Sequence, residues 1–124
     1  MKSSLFINLT NHPSATWGAD QLAAAELLGR VVDILFPMVS PDATTDEVHQ
    51  LADQLVTDVL LTAEAAQADV IVHVMGEHTL TYALVVRLKE KGIKCVASTS
   101  ERNTIMLPDG KKVSEFKFTQ FREY

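Results

Sequence analysis

The feature that most constrains this chain is an alternation of short apolar runs with helical stretches. Leu5 to Leu9, Val31 to Leu35, Val70 to Val74 and Cys95 to Ala97 are strand-length and apolar, and each is too short to be a helix of its own. Between them lie segments with helical patterning, at about 17–28, 44–66 and 79–91. Strand, helix, strand in repetition predicts parallel strands joined by right-handed crossovers, with helices covering the sheet. Three of the runs also stop abruptly in small, polar and ionisable residues: Asn11-His12-Pro13-Ser14, Gly76-Glu77-His78-Thr79 and Ser98-Thr99-Ser100-Glu101-Arg102. In an open α/β sheet the carboxyl ends of the strands share one edge, where ligands bind.

The local signals are consistent with that alternation. Ser14 or Thr16 is expected to cap the helix from about Trp17 to Leu28, and Gly29 to end it in a left-handed cap. Phe36-Pro37 ends the second strand, and a loop runs from Pro37 to Ala43. Thr44 and Glu47 have capping-box spacing, followed by a stripe of Val48, Leu51, Leu55 and Val59. Thr79 is the expected cap of the last helix, whose basic final turn, Arg87, Lys89 and Lys91, precedes a Gly92 stop. In the tail, 103–107 and 111–121 flank Pro108-Asp109-Gly110, a hairpin signature. The predicted fold is one α/β domain over 1–124: a three-layer, Rossmann-like unit with a mainly parallel sheet and a C-terminal β-hairpin. In most small sheets of this type the first, third and fourth strands lie side by side, with the second at a margin.

Composition narrows the function. The chain has 124 residues, 47% of them hydrophobic, and this is enough to bury a core without staples. Its formal charge of −5 argues against a broad surface for long nucleic acid, which needs clustered Lys and Arg. A small anionic ligand held by backbone amides and one or two cations remains compatible with that charge. One cysteine, Cys95, rules out an intrachain disulfide framework and favours a cytoplasmic setting. Met1-Lys2-Ser3 leads directly into the predicted first strand, so no signal peptide is expected, and no apolar stretch reaches the ~18 residues of a membrane span.

Each polar junction supports two readings. His12 is a general base or phosphate contact, or else a turn residue packed by Pro13. Ser14 is a ligand contact or a helix cap. Gly76 admits a ligand close to the backbone or simply permits the turn. Glu77 and His78 together are harder to explain by packing than either alone, although exposed polar turns are common. Ser98, Thr99 and Ser100 offer hydroxyls, and Arg102 offers a planar fork for phosphate or a base, or pairs with Glu101 or Glu77. If the first, third and fourth strands adjoin, these groups line one crevice, into which two helix amino termini point.

Other chemistries lack their signatures. There is no GxGxxG, no Walker lysine loop and no GxSxG elbow. His12, His49, His73 and His78 are not at paired ligand spacings, so no metal or other cofactor is expected. His73, inside a strand, reads as a satisfied core histidine, and His49 as solvent-facing. Phe116, Phe118, Phe121 and Tyr124 read as hairpin packing or a subunit contact more readily than as a base-stacking platform.

The opening strand with Asn11-His12-Pro13-Ser14, the strand ending Val74-Met75-Gly76-Glu77, and the stretch Val96-Ala97-Ser98-Thr99-Ser100-Glu101-Arg102 resemble the small CRISPR-associated proteins of type III systems. Those proteins have a CARF-like Rossmann domain, and several are ring nucleases. The resemblance implies a homodimer that binds a cyclic oligoadenylate second messenger, typically cyclic tetra-adenylate, across its two-fold axis. It further implies metal-independent cleavage to linear products, which would switch off antiviral signalling. The residues it carries over are Asn11, His12, Ser14, Glu77, His78, Thr99, Ser100 and Arg102.

The chemistry stands without the family. The ribose 2′-hydroxyl is a built-in nucleophile, so alignment and charge stabilisation suffice to give a 2′,3′-cyclic phosphate. His12 or His78 would move the proton, Glu77 would orient one of them, and helix-terminal amides near Ser14 and Thr79 with Arg102 would meet the phosphate. Two alternatives are a module that binds the ring without cutting it, and a nucleoside or sugar glycosidic enzyme using Glu77, with Glu101 as its second carboxylate.

Overall fold

A computed structural model describes residues 3–124; the Met1-Lys2 start of the sequence lies outside the described residues. Five strands form one sheet: β1 (Ser3–Thr10), β2 (Arg30–Asp33), β3 (Ala68–Met75), β4 (Lys94–Met106) and β5 (Lys112–Glu123). The helices are α1 (Ala19–Leu28), α2 (Thr45–Ala66) and α3 (His78–Glu90). The strand order is β2-β1-β3-β4-β5, with β2 at a margin and β1, β3 and β4 adjacent, as the crossover rule anticipates. The first four strands are mutually parallel and β5 returns antiparallel to β4. The fold is therefore α/β and Rossmann-like, with a C-terminal hairpin. No helix among the described residues is long and apolar enough to cross a membrane.

Strand alternation divides the core. Ile7 and Leu9 of β1, with Val72 and Val74 of β3, point toward α2 and α3 and join one apolar cluster with Val48, Leu55 and Leu84. Phe6 and Val96 point the other way, toward Ala25 of α1 and the partly buried Trp17 and Phe121. The Thr44–Glu47 capping box forms in both directions, at 3.2 and 3.1 Å, which fixes the start of α2. Gly92, at φ 75°, ends α3 while Ile93 N–H closes back on the Leu88 carbonyl, a Schellman ending.

Four local expectations are corrected. Gly29 is not left-handed: its φ is 168°, and its role is steric, since a Cβ there would meet the Ser4–Leu5 backbone at 2.9 Å. The α1 helix begins at Ala19 behind an uncapped Gly18, and Ser14 sits in a separate 3₁₀ turn, Ser14–Thr16. Glu77, not Thr79, caps α3. The stretch Ser98 to Arg102 is not a loop, because β4 runs unbroken from the sheet into the hairpin. Pairing with β5 satisfies the backbone that a loop would have left open. The turn itself forms as expected around Pro108-Asp109-Gly110, with Gly110 at φ 86°.

Candidate functional site

On the α1 side, the carboxyl ends of β1, β3 and β4 outrun the helix that should cover them. The uncovered space is a cavity of about 400 Å³ bordered by Asn11 and His12 after β1, Met75 at the end of β3 and Gly76 after it, and Ser98 and Ser100 of β4. Trp17, just ahead of α1, and Gln21 in its first turn close one side, and His73 forms part of the wall.

The sequence of β1 explains why the His12 loop is rigid. Asn8 and Thr10 are the polar residues of the buried Leu5–Thr10 stretch of β1, on the face opposite Ile7 and Leu9. The Asn8 amide donates to the His12 carbonyl at 2.9 Å and to Asp33 Oδ1 of β2 at 3.0 Å. Thr10 Oγ1 donates to Asn8 Oδ1 at 2.9 Å and lies 3.1 Å from the His12 carbonyl. The Trp17 indole N–H reaches that carbonyl at 3.2 Å. The His12 N–H in turn donates to Thr10 Oγ1 at 3.1 Å, so bonds to three side chains fix the backbone of His12, whose imidazole stands exposed at the cavity mouth. Ser14 belongs to this scaffold, with its hydroxyl donating to Asp33 Oδ2 at 3.0 Å.

His73, paired in register with Asn8, is the most unusual group in the wall. It is 2% exposed, and both ring nitrogens lack a hydrogen-bond partner among the described residues. The expected satisfied core histidine is therefore buried but unsatisfied. Its ring packs edge-on against Trp17 and Phe121, with centroids 5.6 and 5.2 Å away. Burial, reinforced by the charge of nearby His12, pulls its pKa down to about 4. It is thus a neutral imidazole at physiological pH, with two polar atoms in an aromatic box. A buried polar atom left unpaired costs roughly 1–3 kcal/mol, so groups of this kind call for an explanation.

The other candidates separate. Glu77 spends both carboxylate oxygens on α3: Oε1 accepts from Thr79 N–H at 3.0 Å, and Oε2 from Leu80 N–H at 2.8 Å and the Thr79 hydroxyl at 2.6 Å. These bonds, led by the Thr79 hydroxyl, hold its pKa below the usual carboxylate range. They also consume the α3 amides that were expected to face the ligand. His78 and Thr79 lie on the opposite side, lining a second cavity between α2 and α3 with His49 and Tyr82. Ser98 lines the first cavity but donates to the Met75 sulfur at 3.1 Å. Thr99 points the other way and pairs with the Gln120 backbone through its hydroxyl. Arg102 sits further along the hairpin, with Nε and Nη2 on Ser114 Oγ at 3.3 and 3.2 Å and the guanidinium 6.0 Å from the Phe116 ring centre, rather than in the expected ion pair. Gly76 borders the cavity, yet its lack of a side chain is required by Phe36, whose ring a Cβ would meet at 2.5 Å.

The structure thus brings together Asn11, His12, Gly76, Ser98 and Ser100 and adds Trp17, Gln21, His73 and Met75. Asn8, Thr10 and His73 carried a readable signal, namely polar residues at alternate positions of two apolar strands. Among the described residues, no group of three or more His, Cys, Asp or Glu has the arrangement to hold a metal ion. No curated protein matches the sequence. A family model does match, over residues 4–122 and so across the sheet, all three helices and the cavity, and the chain belongs to the uncharacterized protein MJ1673 family.

Proposed function

We propose that the α1-side cavity binds a cyclic oligoadenylate and cleaves it by attack of a ribose 2′-hydroxyl, making the protein a CRISPR-associated ring nuclease of CARF-like type. The observation that carries the reading is the pairing of His12, on a loop pinned by hydrogen bonds from Asn8 and Trp17 to its carbonyl and from its own N–H to Thr10 Oγ1, with the neutral, unpartnered His73 in one wall. An RNA phosphodiester brings its own nucleophile, so the site has to align it and move a proton. His12 is the proton carrier in this scheme, because His78 lies on the far side of the sheet. Asn11 and Ser100 supply polar contacts to the phosphate and ribose. A homodimer would set two such cavities against one two-fold ring.

The non-cleaving alternative gains from the same separation, since one exposed histidine in the cavity is fewer than the acid and base pair that rapid transesterification favours. The glycosidic alternative loses its nucleophile, because both Glu77 oxygens are engaged by the α3 terminus.

Incubation with cyclic tri-, tetra- and hexa-adenylate in EDTA, with products resolved by mass, tests the proposal. Cleavage of one ring, reduced about 10²-fold or more by His12→Ala, supports it. Trp17, the single tryptophan, borders the cavity and reports binding by its fluorescence. Intact rings with a Trp17 response would identify a sensor, and no response to any ring sinks both readings.

A further inference from the structure

We infer that the ligand track continues beyond the cavity along the α1-side face of the β4–β5 hairpin, where Phe118 and Phe116 stack flanking bases and Arg102 with Lys112 meets phosphate. This inference rests on the nucleotide reading above and extends it from the cavity to a second surface that the same oligonucleotide would occupy.

The placement follows from register. Ser98, Ser100 and Arg102 alternate along β4 and face the same way, from the cavity outward. Opposite them on β5 stand Phe121, Phe118 and Phe116. Simple alternation would turn residue 118 away from residue 121. A bulge between Thr99 and Ser100, with Thr119 as the extra residue, restores it to the same side. The rings of Phe118 and Phe121 are consequently 5.0 Å apart, and Phe121 itself packs on His73 and Trp17 in the cavity wall. The aromatic contacts thus run from the cavity wall to Phe118, and Phe116, 70% exposed, follows two positions on along the same side.

The charges sort in the same way. From Ser98 to Met106 and from Lys112 to Phe121, the cavity-side positions carry Arg102 and Lys112 and no carboxylate, while both carboxylates, Glu101 and Glu115, take the opposite side together with Lys117. In a chain of net charge −5 this face selects for an anion. Ser114 holds the Arg102 guanidinium above the Phe116 ring, so that cation and stacking surface are presented together. Exposed aromatics on a sheet with cationic neighbours are how sequence-tolerant single-strand surfaces are built, each base stack relying on the π-face that every base has.

The test uses the intact chain and calorimetric titration with adenosine 5′-monophosphate, linear tetra-adenylate and cyclic tetra-adenylate. Phe116→Ala is expected to weaken either tetra-adenylate at least about fivefold and to leave the mononucleotide unchanged. Arg102→Gln is expected to flatten the slope of log affinity against log salt by about 0.7 for the linear tetramer, a change that loss of packing alone would not produce. Wild-type affinity for the tetramers in both variants overturns the track and leaves the cavity reading intact. Failure of every nucleotide to bind the wild-type chain overturns both. Conversion of a dimer to a monomer by Phe116→Ala, with tetramer affinity unchanged, assigns the face to a second copy and also overturns the track.

Discussion

The two faces of the sheet are built to opposite rules. On one side α2 and α3 each bury five side chains, all of them apolar, against Ile7, Leu9, Val72 and Val74. On the other, α1 buries only Ala25 and leaves Leu27 88% exposed, so it covers only part of its face. At 10 residues it spans roughly 15 Å, and it starts late, after the 3₁₀ turn and Trp17. The carboxyl halves of β1, β3 and β4 therefore end in an open cavity, with Asn8, Thr10 and His73 where the other face has only aliphatics. Stability is concentrated in one layer, and the polar chemistry is free to occupy the other.

Substitutions that load the two layers unequally would break this comparison. The largest effect is expected in the dry layer. Leu84→Ala, at a fully buried α3 position, should cost about 2–5 kcal/mol in urea-induced unfolding. A cost below 1 kcal/mol would mean that α3 is not the main stabilising layer.

Next is His73. Its folded pKa, about 4, lies below the unfolded value near 6.5, so the unfolded chain takes up a proton first as the solution is acidified. Stability is thus intact above pH 6.5 and lost as pH falls toward 4, by about 3 kcal/mol from this group. His73→Leu should remove that part of the acid sensitivity and leave stability at pH 7 equal or higher, because it deletes two unpaired polar atoms. If the cavity reading holds, the same variant loses ligand response, separating function from stability at one position. Denaturant titrations at pH 7 and pH 5 give the first result and Trp17 fluorescence the second.

Thr44→Ala removes the capping box of α2 and should cost about 1 kcal/mol, read as a lowered thermal midpoint with cavity binding unchanged. The smallest effect belongs to the thin layer. Leu27→Ser should alter stability by less than about 0.5 kcal/mol, measured in the same unfolding assay. A large loss there would show that the outer face of α1 is covered in solution.

Much of the fold was legible because its signals are local. The Thr44–Glu47 spacing, the Gly92 stop and the Pro108-Asp109-Gly110 turn each depend on a few neighbouring residues, and each forms as read. The site was less legible. Asn11, His12, Gly76, Ser98 and Ser100 border one cavity, whereas Glu77, His78, Thr79, Thr99 and Arg102 do not join them there. Glu77 and His78 adjoin Gly76 in sequence, but the first turn of α3 rotates them toward α2 and the helix's own amides. His73 looked like ordinary core because burial is readable from its neighbours, while the absence of a partner depends on every element packed around it.

The sequence by itself determined the alternation of strands and helices, the parallel order that follows from right-handed crossovers, and most helix and turn boundaries, because periodicity and capping act over a few residues. Only the tertiary structure decided that β4 runs unbroken through Ser98 to Arg102, that a bulge brings Phe118 round to the side of Phe121, and that His12 and His73 share a cavity away from Glu77 and His78. Those outcomes depend on which strand pairs with which and how far a helix covers its face, and long-range packing sets both.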